Sequence, residues 1–120
     1  MSEDALGRVR RICLALPEAF EQDAWGHPTF RVRKRMFAIY SNTMHPDGPS
    51  RPALRCNAPL GVQGHLVSSE PEKYYLPAYV GGKGWVGVFV DACSDNEIRG
   101  LVIQAYCMIA PKRLQVLVSE

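Results

Sequence analysis

Arg31, Arg33, Lys34 and Arg35 place four cations within five residues, the densest charge in the chain. Carried on a strand and its turn, such a run can contact successive phosphates of a nucleic acid, with an affinity that falls as salt rises. Edge strands also carry Lys and Arg simply to block aggregation, so the residue types alone leave both readings open. A second basic element is Gly81-Gly82-Lys83-Gly84-Trp85. It is not a phosphate loop of the Walker kind, which needs Ser or Thr directly after the Gly-Lys pair. A glycine-rich hairpin turn with an exposed Lys83 at its tip is the simpler expectation. Tyr74, Tyr75 and Tyr79, with Trp85, have the π faces to stack on bases, although strand aromatics commonly pack in a core or across strands.

Other chemistry is poorly supported. His27, His45, His65 and Cys56 are metal-ligand types, but no pair has the short spacing of a zinc site. No Ser or Cys sits in an activating motif. Glu18, Glu21 and Asp23 have the residue type for acid–base work, yet ahead of Trp25 they read as a solvated turn. Neither an enzyme activity nor a cofactor is expected.

The elements that must position these residues follow from periodicity. Ala5, Leu6, Val9, Ile12, Cys13 and Leu16 recur at helical spacing and predict a helix that Pro17 ends, with Ser2 as its N-cap. Glu18 to Gly26 reads as a loop. Phe30 and Val32 alternate with Arg31 and Arg33, predicting a strand, a turn at Lys34-Arg35 and a return strand over Met36–Ser41. Asn42 to Pro52, rich in Pro and Gly, reads as an exposed loop. Ala53–Cys56 suggests a short strand, 59–67 is ambiguous between helix and loop, and Tyr74–Val80 looks extended. Trp85 and Val86–Val90 supply the next strand. Ser94-x-x-Glu97 is a capping box opening a long helix with Ile98, Leu101, Val102, Ala105, Met108 and Ile109 inward. Pro111 suits the first turn of a last short helix, with Leu114 and Leu117 inward.

The order is a helix, an antiparallel sheet, then helices: an α+β fold in a single domain over 1–120. Fourteen Lys/Arg against twelve Asp/Glu give a net charge of only +2, which permits a nucleic-acid role without arguing for one. Four scattered cysteines read as buried, reduced thiols. The acidic start lacks the order of a signal peptide and no run is long and apolar enough to span a membrane, so a cytosolic protein is expected.

Leu16-Pro17-Glu18, Trp25-Gly26-His27-Pro28-Thr29-Phe30-Arg31-Val32, Lys34 and Met36-Phe37-Ala38 resemble the N-terminal half of the MmcQ/YjbR family. So do Lys83-Gly84-Trp85-Val86, the Asp95–Ile98 helix start, Tyr106 and Ala110-Pro111-Lys112-Arg113-Leu114, in the same order along nearly the whole chain. Two positions depart from the pattern: Ala105-Tyr106 stands where the family often has Ser-Tyr, and Leu54-Arg55 where it tends to have Leu-Lys. The resemblance implies a frataxin-like (CyaY-like) α+β fold and a family labelled as DNA-binding through a "double wing" of two β-hairpins. Carried onto this chain, the first wing is Arg31, Arg33, Lys34 and Arg35, and the second is Lys83 with Trp85 at its base. The frataxin analogy also suggests iron binding by an acidic first helix. Here only Glu3 and Asp4 precede Arg8, Arg10 and Arg11, which disfavours iron.

The expected function is therefore weak, salt-sensitive DNA binding, mainly by phosphate contacts. A rival expectation is a small-molecule or drug-binding protein whose pocket is lined by Trp25, His27, Tyr40, Tyr75 and Trp85. A module that only docks other proteins would instead display an exposed apolar patch.

Overall fold

The computed structural model describes residues 3–45, 48–77 and 81–118, with side chains for all of these except 43–45, 48–50 and 81. In chain order the elements are α1 (Ala5–Leu14), β1 (Phe20–Ala24), β2 (His27–Val32), β3 (Arg35–His45), β4 (Gly48–Cys56), α2 (Val62–Ser69), β5 (Tyr74–Tyr75), β6 (Val86–Phe89), α3 (Asp95–Cys107) and α4 (Lys112–Val118). Short 3-10 turns at Gly81–Lys83 and Val90–Ala92 flank β6. The strands form one six-stranded antiparallel sheet in the order β1-β2-β3-β4-β6-β5. This is the expected α+β architecture, an N-terminal helix and C-terminal helices packed on a sheet.

Alternation along the strands divides the sheet into two faces. Phe30, Val32, Ala38, Leu54, Cys56, Val86, Val88 and Tyr74 point into the core. They meet Val9, Ile12 and Cys13 of α1, Ile98, Val102, Ala105 and Tyr106 of α3, and Leu114 of α4, with Val62, Leu66 and Val67 of α2 packed at the margin. Every described helix therefore adds side chains to the same layer. Phe37 is an extra residue at a β-bulge, where the β2–β3 register shifts between Phe30 and Arg31, and its ring meets Tyr106 edge-on.

Local chemistry accounts for the ends of the helices. Asp4, not Ser2, caps α1: its carboxylate accepts from the Gly7 N–H at 2.7 Å, while Ser2 lies outside the described residues. Ser94 and Glu97 form the full reciprocal capping box of α3. Arg8 fastens α1 to the start of α3, donating to Asp95 at 2.5 Å, to the Val90 carbonyl at 2.6 Å and to the Cys93 carbonyl. At the other end, the Tyr106 hydroxyl donates to the Pro17 carbonyl. With start tied to start and end to end, α1 and α3 run in the same direction.

Several expectations are corrected. Glu18–Gly26 is not all loop: Phe20–Ala24 is an edge strand whose polar sequence hides it, because only its backbone is required to pair. The β2–β3 turn is Arg33-Lys34 rather than Lys34-Arg35, since Arg35 pairs with Val32. Asn42–Pro52 is mostly strand: β3 runs on to His45 and β4 begins at Gly48, with 46–47 outside the described residues. Pro49 and Pro52 are tolerated because β4 pairs with β6 only from Ala53 onward, so the missing N–H groups break no ladder bond on that side. Residues 62–67 of the ambiguous stretch are helical, in a helix that runs on to Ser69, and only Tyr74–Tyr75 of the expected extended segment is strand, with 78–80 outside the described residues. In α4 the inward partner of Leu114 is Val118, four residues on; Leu117 is 66% exposed.

Candidate nucleic-acid interface

The sheet register sets where the basic residues go. Val32 pairs with Arg35, Ala38 with Cys56, and Cys56 with Val86, so the β2–β3 turn and the residues entering β6 leave the same end of the sheet. The β2–β3 hairpin runs past Cys56 by the length of Arg35–Phe37, which is about 10 Å at the usual strand rise. Lys83 precedes β6 by three residues, and β6 is two strand positions from β3, about 10 Å to the side. The C-terminal end of α3 and the first turn of α4 arrive here too, bringing Lys112 and Arg113.

Arg33, Lys34, Arg35, Lys83 and Lys112 are exposed at this end, and none has a carboxylate partner among the described residues. Arg113 is engaged, donating to Glu18 at 2.9 Å. The Arg113 guanidinium, with Arg33 nearby, holds the Glu18 carboxyl below the usual carboxylate range. The opposite end is different in kind. There Asp91 is taken by Arg51, Asp95 by Arg8 and Arg11, Glu3 by Arg11, and Glu70 and Glu97 by Lys73. A net charge of only +2 thus hides a cluster of unpaired cations at one end of the sheet and several neutralised pairs at the other.

The β2–β3 turn has an unusual backbone. Arg33 and Lys34 have φ of 54° and 75°, the left-handed pair of a tight two-residue hairpin turn. Asn-Gly is the favoured occupant, and left-handed backbone costs a non-glycine residue roughly 1 kcal/mol or more. Two long cations are held there instead.

The other site residues are placed differently from expectation. Arg31 lies back along the sheet rather than at the tip, its Nε donating to Thr29 Oγ1 at 3.0 Å. Lys83 ends a 3-10 turn rather than capping a tight hairpin, because β5 and β6 are joined through residues 76–85. Trp85 is 8% exposed, so its ring is packing and not a stacking platform. Tyr74 is buried, Tyr75 stacks on Phe89 with ring centres 4.8 Å apart, and Tyr79 lies outside the described residues.

The five residues of the expected aromatic pocket do not converge. Trp25 and His27 belong to the β1–β2 hairpin at one sheet edge, and Tyr75 to β5 at the other. Tyr40 packs toward the core and Trp85 is buried. An open cleft of about 560 Å3 exists elsewhere, beside the basic end, lined among others by Asn57, Leu60, Gln63, Lys83 and Met108. No signal in the sequence joins these residues, which come from three separate segments. Among the described residues no group of His, Cys, Asp and Glu is arranged to hold a metal, and the side chain of His45 lies outside them. No described helix is long and apolar enough to cross a membrane.

An antiparallel sheet with helices on one face and exposed cations at one end defines an α+β protein with a cationic rim. The chain belongs to the YjbR family, whose model matches residues 14–108. No curated protein matches it. Among solved structures it is similar to the Deinococcus radiodurans protein DR2400, described as carrying domain DUF419, at 19% identity and a TM-score of 0.71, over 91% of this chain and 83% of that one. At that identity the likeness concerns the fold alone.

Proposed function

We propose that this protein binds nucleic acid, DNA in the first instance, by gripping phosphates with the cationic end of the sheet. The observation that carries the reading is the gathering of Arg33, Lys34, Arg35, Lys83 and Lys112 at one end without carboxylate partners among the described residues, while Glu3, Glu70, Asp91, Asp95 and Glu97 at the opposite end are already bound to cations. Unpaired exposed cations meet phosphates without breaking an existing ion pair. They also release counterions, which makes binding strongly salt-dependent. The strained Arg33-Lys34 turn supports the same reading, since it sets two cations at a hairpin tip where a more relaxed sequence would hold none. The double-wing and frataxin-like labels implied by the resemblance belong to this reading, with Arg33–Arg35 as one wing and Lys83 as the other. With Trp85 packed inside, its ring offers no platform for bases, so this reading rests on phosphate contacts with slight base readout. The role is binding rather than catalysis.

The test is fluorescence anisotropy of a labelled random-sequence duplex at about 50 and about 200 mM salt. Binding should weaken by about a hundredfold or more across that range. Lys34→Ala with Arg35→Ala should reduce the slope of log affinity against log salt by about 2, since each phosphate that a cation neutralises adds about 0.9 to it. No binding at the lower salt overturns the proposal.

A second reading, small-molecule binding, moves from the aromatic residues to the cleft beside Lys83, whose size is that of an ordinary ligand pocket. Thermal stabilisation by a small-molecule library in the absence of duplex binding would favour it.

A further inference from the structure

Thr29, Ile39, Arg55, Gly87 and Tyr75 are cross-strand neighbours, one from each of β2, β3, β4, β6 and β5. Alternation puts all of them on the face away from the core, where no described helix packs. Thr29 and Ile39 are nonetheless buried. Long side chains lie flat on this face: Arg31 reaches back to Thr29, Arg51 lies 4.0 Å above the ring of Phe89, and Tyr75 stacks on Phe89.

Its electrostatics are one-sided. Arg51 is neutralised by Asp91 at 2.6 Å, but Arg31 and Arg55 have no carboxylate partner among the described residues. The described side chains of β2, β3, β4 and β6 include no Asp or Glu at all. The Glu21 and Asp23 of β1 pair with Phe30 and Pro28, which alternation assigns to the helix side. Arg55 Nε is shut off from solvent and has no acceptor among the described residues. A buried donor left unpaired is costly and rare in a native protein.

We propose that this face holds an oxyanion site, formed by Arg31 and Arg55 on either side of Ile39, for a small molecule bearing a carboxylate or phosphate. Their strands are two positions apart, about 10 Å. The Thr29 hydroxyl donates to the Gln22 carbonyl at 2.5 Å and accepts from Arg31 Nε, drawing Arg31 toward the row that contains Arg55. The two guanidinium groups can therefore close over Ile39 on one anion. Arg55 gives up no hydrogen bond from its Nε in doing so, and lifting it from the sheet returns that Nε to an acceptor. Partial burial makes each charge contact stronger than at the open cationic end. The planar guanidinium fork suits a two-oxygen anion better than a lysine ammonium would.

The test is a thermal-stability titration of the full chain with sodium phosphate and, in a separate arm, sodium succinate, each at constant ionic strength against sodium chloride. Wild type should show saturable stabilisation by at least one of them, and the anion saturating at the lower concentration identifies the chemistry. Arg55→Lys, which keeps the charge and loses the fork, should weaken it about tenfold or more. Arg31→Met and Arg55→Met should abolish it, and Lys34→Ala/Arg35→Ala should leave it unchanged. If Arg55→Met fails to fold, Arg55→Lys and Arg31→Met decide. No saturable effect of either anion overturns the proposal. So does an effect that survives Arg31→Met and Arg55→Lys, or one that disappears in the Lys34/Arg35 variant.

Discussion

The hydroxyl of Tyr106, near the end of α3, donates to the carbonyl of Pro17 at 2.7 Å, across 89 residues of sequence. Its ring is fully buried and meets Phe37 at an interplanar angle of 88°, with centroids 5.7 Å apart. One side chain thus joins the exit of α1, the bulge of β3 and the end of α3, and so frames the cationic end. Tyr106→Phe keeps the packing and removes the hydrogen bond. It should cost about 1 kcal/mol in urea denaturation, whereas Tyr106→Ala should cost about 3–5 kcal/mol. An unchanged midpoint in Tyr106→Phe would remove the hydrogen bond from the account.

The Arg33-Lys34 turn predicts opposite effects on stability and binding. Replacing the pair with Asn-Gly puts the residues that best tolerate left-handed backbone at both positions and should stabilise the protein by about 1 kcal/mol. It removes two cations, so duplex binding should weaken and its salt slope flatten. Paired melting curves and anisotropy titrations of the one variant check both signs.

Acid sensitivity should concentrate at Glu97. The Lys73 ammonium, together with the Ser94 backbone N–H, holds its carboxyl down at about 2. In the unfolded chain the same group titrates near an ordinary value of about 4.3. The unfolded state therefore binds its proton first, and the stabilisation, complete above about pH 5, is lost as pH falls toward 2. Glu97→Gln should be less stable at neutral pH and show a shallower loss of stability across that window.

Gly87 has a packing reason to be glycine. A Cβ there would overlap the ring of Tyr75, its cross-strand partner. Gly87→Ala should displace that ring from Phe89 and destabilise the protein by about 1–3 kcal/mol, with a change in near-ultraviolet circular dichroism. An Ala variant with native stability and spectrum would mean that the ring relocates freely.

The thiols should be inert in the folded state. Burial raises Cys13 and pushes Cys56 up to about 12 and Cys93 up to about 11, and all four cysteines are free. A thiol reagent at pH 8 should react slowly with native protein and with all four cysteines after denaturation. Rapid native labelling of Cys13 or Cys56 would contradict the packing of α1 on the sheet.

The sequence by itself determined α1 and α3 and the apolar faces they turn to the sheet, but not α2. Val9, Ile12 and Cys13, and Ile98, Val102 and Ala105, are spaced so that only one helical face is apolar, and Ser94 with Glu97 marks a start from local chemistry alone. It also identified the cations, because Arg33, Lys34 and Arg35 are charged wherever they fall. What it could not determine depends on pairing between distant segments. The polar strand Phe20–Ala24 exists because β2 offers its backbone an edge, and Pro49 and Pro52 stay in a strand because β6 pairs with β4 only from Ala53. Only the register brings the segment of Lys83 to the end that Arg33, Lys34 and Arg35 occupy, only the packing of Tyr106 on Phe37 brings the start of α4 with Lys112 there, and the register turns Arg55 onto the same face as Arg31. Burial of Trp85 was likewise a tertiary decision, since an indole suits a stacking platform and a core equally until its neighbours are known. Local propensity and periodicity act within a few residues, whereas charge clustering on a sheet is set by which strands hydrogen-bond and in what register.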